Sequence, residues 1–240
     1  MSGHSKWHNI QGRKGKQDAL KSNVFSKYAK QITIVSRQGG GDPAVNFSLR
    51  LLVDKAKASG MPKDNIERAI KRGTGELNDG TQMEEIIFEG FGPNGTAILV
   101  KTITDNRHRT SADVKHIFNK FGSSIGGAGS VQWMFENCGL IIVDLSAITN
   151  REELEMKMIE VGADDIWEEE GLLYFKVKLV DFKHAIDLLK ELAIEPVKAG
   201  IEWVAKEKVK VDSTGEEHLK KIFAELEDND DVEDYYTNAE

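Results

Sequence analysis

The chain has 240 residues, with 32 Lys and Arg against 40 Asp and Glu, a formal charge of −8 and a hydrophobic fraction of 40%. This balance excludes a uniformly basic, histone-like or ribosomal-protein-like chain and a wholly disordered one. No run approaches the roughly 18 apolar residues that a membrane span needs, so no membrane partner is expected.

The single cysteine, Cys138, cannot close an intrachain disulfide, and a reducing, cytoplasmic compartment is expected. The first residues, Met1 to Trp7, lack the apolar core of a secretion signal. The average charge conceals an asymmetry. Residues 1 to 75 hold 15 Lys/Arg and 5 Asp/Glu, and residues 76 to 240 hold 17 and 35, so the two parts carry +10 and −18. A basic element joined to an acidic body is the pattern of a chain that meets a polyanion locally and is repelled by it elsewhere. A solvated basic helical face would give the same count.

In chain order, residues 17 to 38 read as a helix with Leu20, Val24, Tyr28, Ile32 and Val35 on one stripe and Lys27, Lys30 and Arg37 pointing the other way. Gly39 to Gly41 end it. Asp42-Pro43 then predicts a cap and first-turn proline for a second helix carrying Val45, Leu49, Leu52, Val53 and Ala56. Met61-Pro62 opens a third, which stops at Gly73. Thr74 to Gln82 is the linker.

Beyond it, residues 86 to 91 and 96 to 104 predict a hairpin, 109 to 121 a helix, and 130 to 135 a strand after a glycine-rich loop. From Gly139 the order strand, helix, strand, strand, helix, strand is completed in about 65 residues, the ferredoxin-like βαββαβ. A last helix over 215 to 227 is too short to stand alone and should dock on the incomplete unit of residues 83 to 136. The expected class is therefore α+β and multidomain. Residues 1–77 form a basic helical domain with an N-terminal arm, 78–136 plus 205–240 a discontinuous central α/β domain, and 137–204 an inserted ferredoxin-like domain.

Most chemistry-bearing patterns have plain explanations. Gly90 to Gly95 matches a dinucleotide-binding spacing, but a strand follows it rather than a helix, so Pro93-Asn94-Gly95 reads as a hairpin turn. His4 and His8 lack a third ligand nearby, and no metal or other cofactor is expected. Cys138 is placed at a hairpin corner as a small half-buried side chain, and the run Glu168 to Glu170 in a solvated turn. No nucleophile, base and orienting group select one another, so the chain is expected not to be an enzyme.

The segment Gly3 to Lys16 differs. It holds Lys6, Arg13, Lys14 and Lys16 with Trp7, two histidines and three glycines, and no acid. Cations neutralise phosphates, an indole stacks on an unpaired base, and glycines let backbone N–H groups approach a phosphate. An ordered arm with Trp7 docked on the first helix is the alternative. A second basic patch, Asp105-Asn106-Arg107-His108-Arg109-Thr110, falls where a strand runs into a helix, with Asp105 or Asn106 as cap. Two cations at the positive end of a helix dipole need an anion, either a phosphate or an acidic neighbour. The candidate nucleic-acid-binding residues are thus Lys6, Trp7, Arg13, Lys14, Lys16, Lys27, Lys30, Arg107 and Arg109.

The start Gly3-His4-Ser5-Lys6-Trp7 with Ile10, Arg13-Lys14 and Asp18, the run Gly39 to Pro43, the stretch Glu89 to Gly95 and the patch Asp105 to Thr110 together resemble the YebC family over nearly the full length. The resemblance implies three domains in the order read above. It implies a regulator of gene expression without established enzyme activity or cofactor. Bacterial members carry the label of DNA-binding transcriptional regulators, a mitochondrial relative is a translational activator, and other relatives are connected with ribosomes stalled on proline-rich sequences. The implied partners are DNA or ribosomal RNA, with the transcription machinery or the ribosome, and a monomer is expected.

Overall fold

The computed structural model describes residues 17 to 77, 80 and 82 to 240, with side chains described from Val24 onward. The arm calls at Lys6, Trp7, Arg13, Lys14 and Lys16 lie outside the described residues.

Three helices open the chain: α1 (Gln17–Gly39), α2 (Phe47–Ala58) and α3 (Lys63–Thr74). Their core is Ile32, Leu49, Val53, Ala56, Met61, Ile66 and Ala69, most of the stripes that helical periodicity marks out; Val24 and Val45, expected on them, are exposed. The second helix begins later than Asp42-Pro43 predicts. Asp42 instead closes a turn, its carboxylate accepting from the Ala44 N–H at 2.8 Å. The cap is Asn46, whose Oδ1 accepts from the Leu49 N–H at 3.1 Å while its Nδ2 donates to the carbonyls of Val35 and Gly40. One buried amide thereby serves the start of α2 and the end of α1, which a cap at Asp42 would not do. Gly75, at φ 82°, ends α3.

The central sheet has the order β3-β1-β2-β8, formed by β1 (Glu84–Phe91), β2 (Ala97–Thr104), β3 (Ser124–Ile125) and β8 (Val232–Thr237). The helices α4 (Arg107–Lys120) and α7 (Ser213–Asp228) cover one face. There Phe118, Leu219, Ile222, Phe223 and Leu226 pack on Ile98, Val100 and Tyr235. Leu99 and Tyr236 point to the other face, toward Val131 and Phe135. As expected, Pro93-Asn94-Gly95 turns the hairpin of β1 and β2, with Asn94 in the left-handed region at φ 56°.

The inserted unit comprises β4 (Phe135–Asp144), α5 (Arg151–Glu160), β5 (Ala163–Glu169), β6 (Leu172–Val177), α6 (Phe182–Glu191) and β7 (Lys198–Ala205). Its strand order is β5-β6-β4-β7, the ferredoxin-like arrangement with the first and third strands central.

Three expectations need correction. Residues 130 to 135 are not a strand: Gln132–Met134 is a 3-10 turn. The reason is Glu89, a buried carboxylate that accepts the N–H groups of Gly129, Val131 and Gln132, donors a ladder would otherwise use. Burial alone would raise its pKa; these backbone donors lower it instead. Cys138 lies within β4, not at a hairpin corner, and is buried opposite Glu202 of β7. The run Glu168 to Glu170 is not a solvated turn throughout: Glu168 and Glu169 end β5, and Glu169 is buried. The acidic end of the chain forms β8, a largely buried edge strand paired antiparallel with β2 from Ile98↔Thr237 to Thr102↔Val232.

Candidate nucleic-acid interface

Two groups of the described cations of the basic unit lie on opposite flanks of α1. The inner flank faces the chain's acidic end. Lys27 Nζ donates to the Glu227 carbonyl at 3.1 Å. Lys30 Nζ donates to the Asp230 carbonyl at 2.9 Å and to Asp231 Oδ1 at 2.7 Å. Burial lowers the pKa of Lys27, opposed by Asp230 and Glu227.

Asp231 is the centre of this contact. Its Oδ2 accepts from Arg109 Nη2 at 2.7 Å, Arg109 Nε at 3.2 Å and Thr110 Oγ1 at 2.7 Å. Burial would raise the Asp231 pKa; the hydrogen bonds from Lys30, Arg109 and Thr110 outweigh it and hold the carboxyl at about 2.

At the second basic patch, Asn106 is the cap, its Oδ1 accepting from the Arg109 N–H at 3.1 Å. Of the two anions that could compensate Arg109, the structure supplies an acidic neighbour, Asp231, with Asp105 at 3.0 Å as a second. Arg107 is two-thirds exposed and 3.6 Å from Glu84, a contact of little energetic weight. The structure therefore gathers Lys27, Lys30 and Arg109 around one acidic turn and leaves Arg107 on the surface.

Where the three units meet lies a cavity of about 370 Å³. Lys55 Nζ donates to the Ala199 carbonyl at 2.7 Å, and Lys198 pairs with Glu202 at 2.9 Å. Lys101 sits between Glu85 at 3.3 Å and Glu233 at 3.2 Å. Burial pushes the carboxyls of Glu233 and Asp234 up to about 7, against the pull of Lys101 and Lys198 respectively. This mixed-sign lining joins the units; it is not a phosphate-binding surface.

Cys138 is a neutral thiol, because burial first, and Glu136 second, push its pKa up to about 12. Among the described residues no group of three or more His, Cys, Asp or Glu could hold a metal, and no described helix is long and apolar enough to cross a membrane.

The outer flank is a seam between α1 and α3. Thr33 Oγ1 donates to the Ala69 carbonyl, and Gly73 lies so close that a Cβ there would collide with the Thr33 carbonyl. Beside this contact Asn65, Arg68 and Arg72 line a groove with Phe25, Ala29 and Met61. Sequence reasoning did not single out this set. The spacing Asn65, Arg68, Arg72, at i, i+3 and i+7 on one helix face, was the available signal.

The fold and this surface define a three-domain α+β protein in which a basic helical unit is mounted on an acidic body. Residues 5–76 match the family model described as the TACO1/YebC protein N-terminal domain, and residues 83–239 the TACO1/YebC second and third domain. The chain belongs to the TACO1/YebC family. It is 42% identical over 240 residues to a probable transcriptional regulatory protein of Caldanaerobacter subterraneus subsp. tengcongensis, covering 100% of this chain and 98% of that one. It is 46% identical over 238 residues to another so named from Syntrophotalea carbinolica, covering 99% and 95%. The crystal structure of a conserved hypothetical protein from Aquifex aeolicus superposes with a TM-score of 0.87 at 38% identity, covering 98% of this chain and 96% of that one.

Proposed function

We propose that this chain is a non-catalytic, nucleic-acid-binding regulator of gene expression whose basic helical unit grips phosphates while the acidic body limits indiscriminate binding. The observation that carries this reading is the division of charge, +10 over residues 1 to 75 against −18 over the rest. The names of the relatives, probable transcriptional regulatory proteins, support DNA as the target. The buried, neutral thiol of Cys138 argues against that side chain as a nucleophile.

A second reading, an RNA-binding translation factor on the ribosome, is favoured by the outward face of α3. Lys63, Asp64, Glu67, Arg68 and Lys71 are all exposed there, a mixed-sign face unlike a helix that reads base edges in a duplex.

Binding measured between 50 and 200 mM salt tests the shared part of both readings. With about six phosphates engaged, affinity falls by roughly 10³-fold or more over that range. A flat salt dependence contradicts it.

A further inference from the structure

We propose that Trp133 is a stacking platform for one unpaired base of a single-stranded nucleic acid, with Lys206 beside it for the adjoining phosphate. This rests on the nucleic-acid reading above and adds a contact at the central sheet, away from the basic unit.

Trp133 is 64% exposed, yet it is held in place. Its Nε1 donates to the Ser130 carbonyl at 3.1 Å, and its own carbonyl accepts from Lys206 Nζ at 2.9 Å. The backbone before it is fixed by Glu89, whose carboxylate accepts from the N–H groups of Gly129, Val131 and Gln132. The one polar group of the indole is thus satisfied within the chain, and its two apolar faces are what is left to cover. Among the described residues the ring pairs are Phe47 with Phe182, Trp167 with Tyr174 and Phe223 with Tyr235, and the cations over rings are Arg50 and Lys120. None involves Trp133. A ring held by its edge and open on its face loses little freedom when a flat partner lies on it.

The charge beside the ring selects the partner. Residues 206 to 210 hold Lys206, Lys208 and Lys210 against one acid, Glu207, and all four are exposed. The acceptor of Lys206 is a neutral carbonyl, so its charge is not balanced there. The segment is ordered: the Val209 N–H donates to the Asn238 carbonyl at 2.8 Å, and the Glu240 N–H donates to the Val209 carbonyl at 2.8 Å. A flat apolar face next to a row of ammoniums fits a nucleotide, whose base covers the ring and whose phosphate meets the lysine. An apolar peptide would cover the ring and leave the lysines unmatched. In a duplex both faces of each base are already stacked, so the base must be unpaired.

The site is separate from the basic unit. A Cβ on Gly126 would touch both Ser130 and the ring of Phe91, so the loop that holds Trp133 lies at the end of the sheet where Phe91 pairs with Ala97. Lys30 meets Asp231 at the other end, beside Thr104. The eight residues of β2 between them span about 23 Å. Loss of one contact therefore leaves the other in place.

The test uses the full-length chain, a fluorescent 12-nucleotide single-stranded RNA of mixed sequence, and an RNA duplex of the same sequence. Trp133→Ala should weaken single-strand binding about tenfold and leave duplex binding within twofold, because the lost interaction is base stacking. Trp133→Phe, which keeps an aromatic face, should stay within about threefold of the unaltered chain. Lys206→Ala should reduce the slope of log K against log salt by about 0.7 on the single strand. Thermal melting checks that the variants fold. If the unaltered chain binds neither probe, the nucleic-acid reading falls and this site with it. If it binds the single strand and Trp133→Ala stays within twofold, this site is overturned, the broader reading stands, and the ring is left to a protein partner. Binding of the duplex alone, equal losses on both probes, or a Trp133→Phe variant as weak as Trp133→Ala overturns base stacking.

Discussion

The two flanks of α1 carry cations of the same kind in opposite circumstances. On the inner flank Lys27 and Lys30 are half-buried and meet main-chain carbonyls and a carboxylate of the turn Glu227 to Asp231. On the outer flank Arg68 is exposed, and among the described residues no carboxylate lines its groove. A cation already matched by a buried anion can meet a phosphate only by giving up hydrogen bonds worth about as much, so it gains little. A cation facing solvent gains the release of counterions. Positive charge counted along a sequence does not distinguish these cases. The partner of Lys30 lies 201 residues away.

The comparison breaks most visibly at Asp231. Asp231→Ala leaves Lys30 and Arg109 without their shared acceptor and should destabilise the chain by about 2–4 kcal/mol in urea unfolding; the half-exposed Arg109 keeps the figure at the lower side of a fully buried pair. A loss below 1 kcal/mol would mean that the inner flank is as dispensable as a surface pair. On the seam itself, Gly73→Ala drives a methyl into the Thr33 carbonyl and should cost about 1–3 kcal/mol by the same measurement.

Acidity sharpens the contrast further. Asp231 is held at about 2 against an ordinary 3.8, so its contribution is complete above pH 4 and lost as pH falls toward 2. Glu233, at the junction of the units, has the opposite sign. Its carboxyl is raised from 4.5 to about 7, so the folded state binds the extra proton, and stability should decline as pH rises from about 4.5 to 7. Asp234, raised likewise to about 7, adds to the same limb. Urea midpoints across pH 2 to 8 should show both limbs, and Glu233→Gln should shrink the upper one, leaving the share of Asp234, without changing the lower one. The smallest effect belongs to the outer flank. Arg68→Ala should change stability by no more than about 0.5 kcal/mol.

Much of this fold is legible in the residues because periodicity and punctuation agree. The helix Gln17–Gly39, the hairpin around Pro93-Asn94-Gly95 and the βαββαβ order are local patterns. Where polar groups decide the structure, their partners are distant in sequence. The sequence places the segment Asp230 to Asp234 in the central domain without partners, and Lys30, Arg109 and Lys101 converge on it at the start of the edge strand β8. Ser130 to Phe135 reads as a strand until Glu89, some forty residues earlier, takes its N–H groups.

The placement of the cations was legible in part. Charge division singled out the helical unit as the basic one and periodicity placed Lys27 and Lys30 off the hydrophobic stripe, but which flank faces a carboxylate is set by how the third helix and the last strand pack. The value of −8 for the whole chain is the least informative form of its charge.

The most direct measurement is the salt dependence of single-strand binding for the unaltered chain, Lys30→Ala and Arg68→Ala. If the outer flank meets phosphate and the inner flank holds the fold, Arg68→Ala reduces the slope of log K against log salt by about 0.7, the value of one phosphate contact on a single strand. Lys30→Ala should leave the slope unchanged and lower the urea midpoint. A slope that falls with Lys30→Ala and not with Arg68→Ala would contradict the assignment of the two flanks.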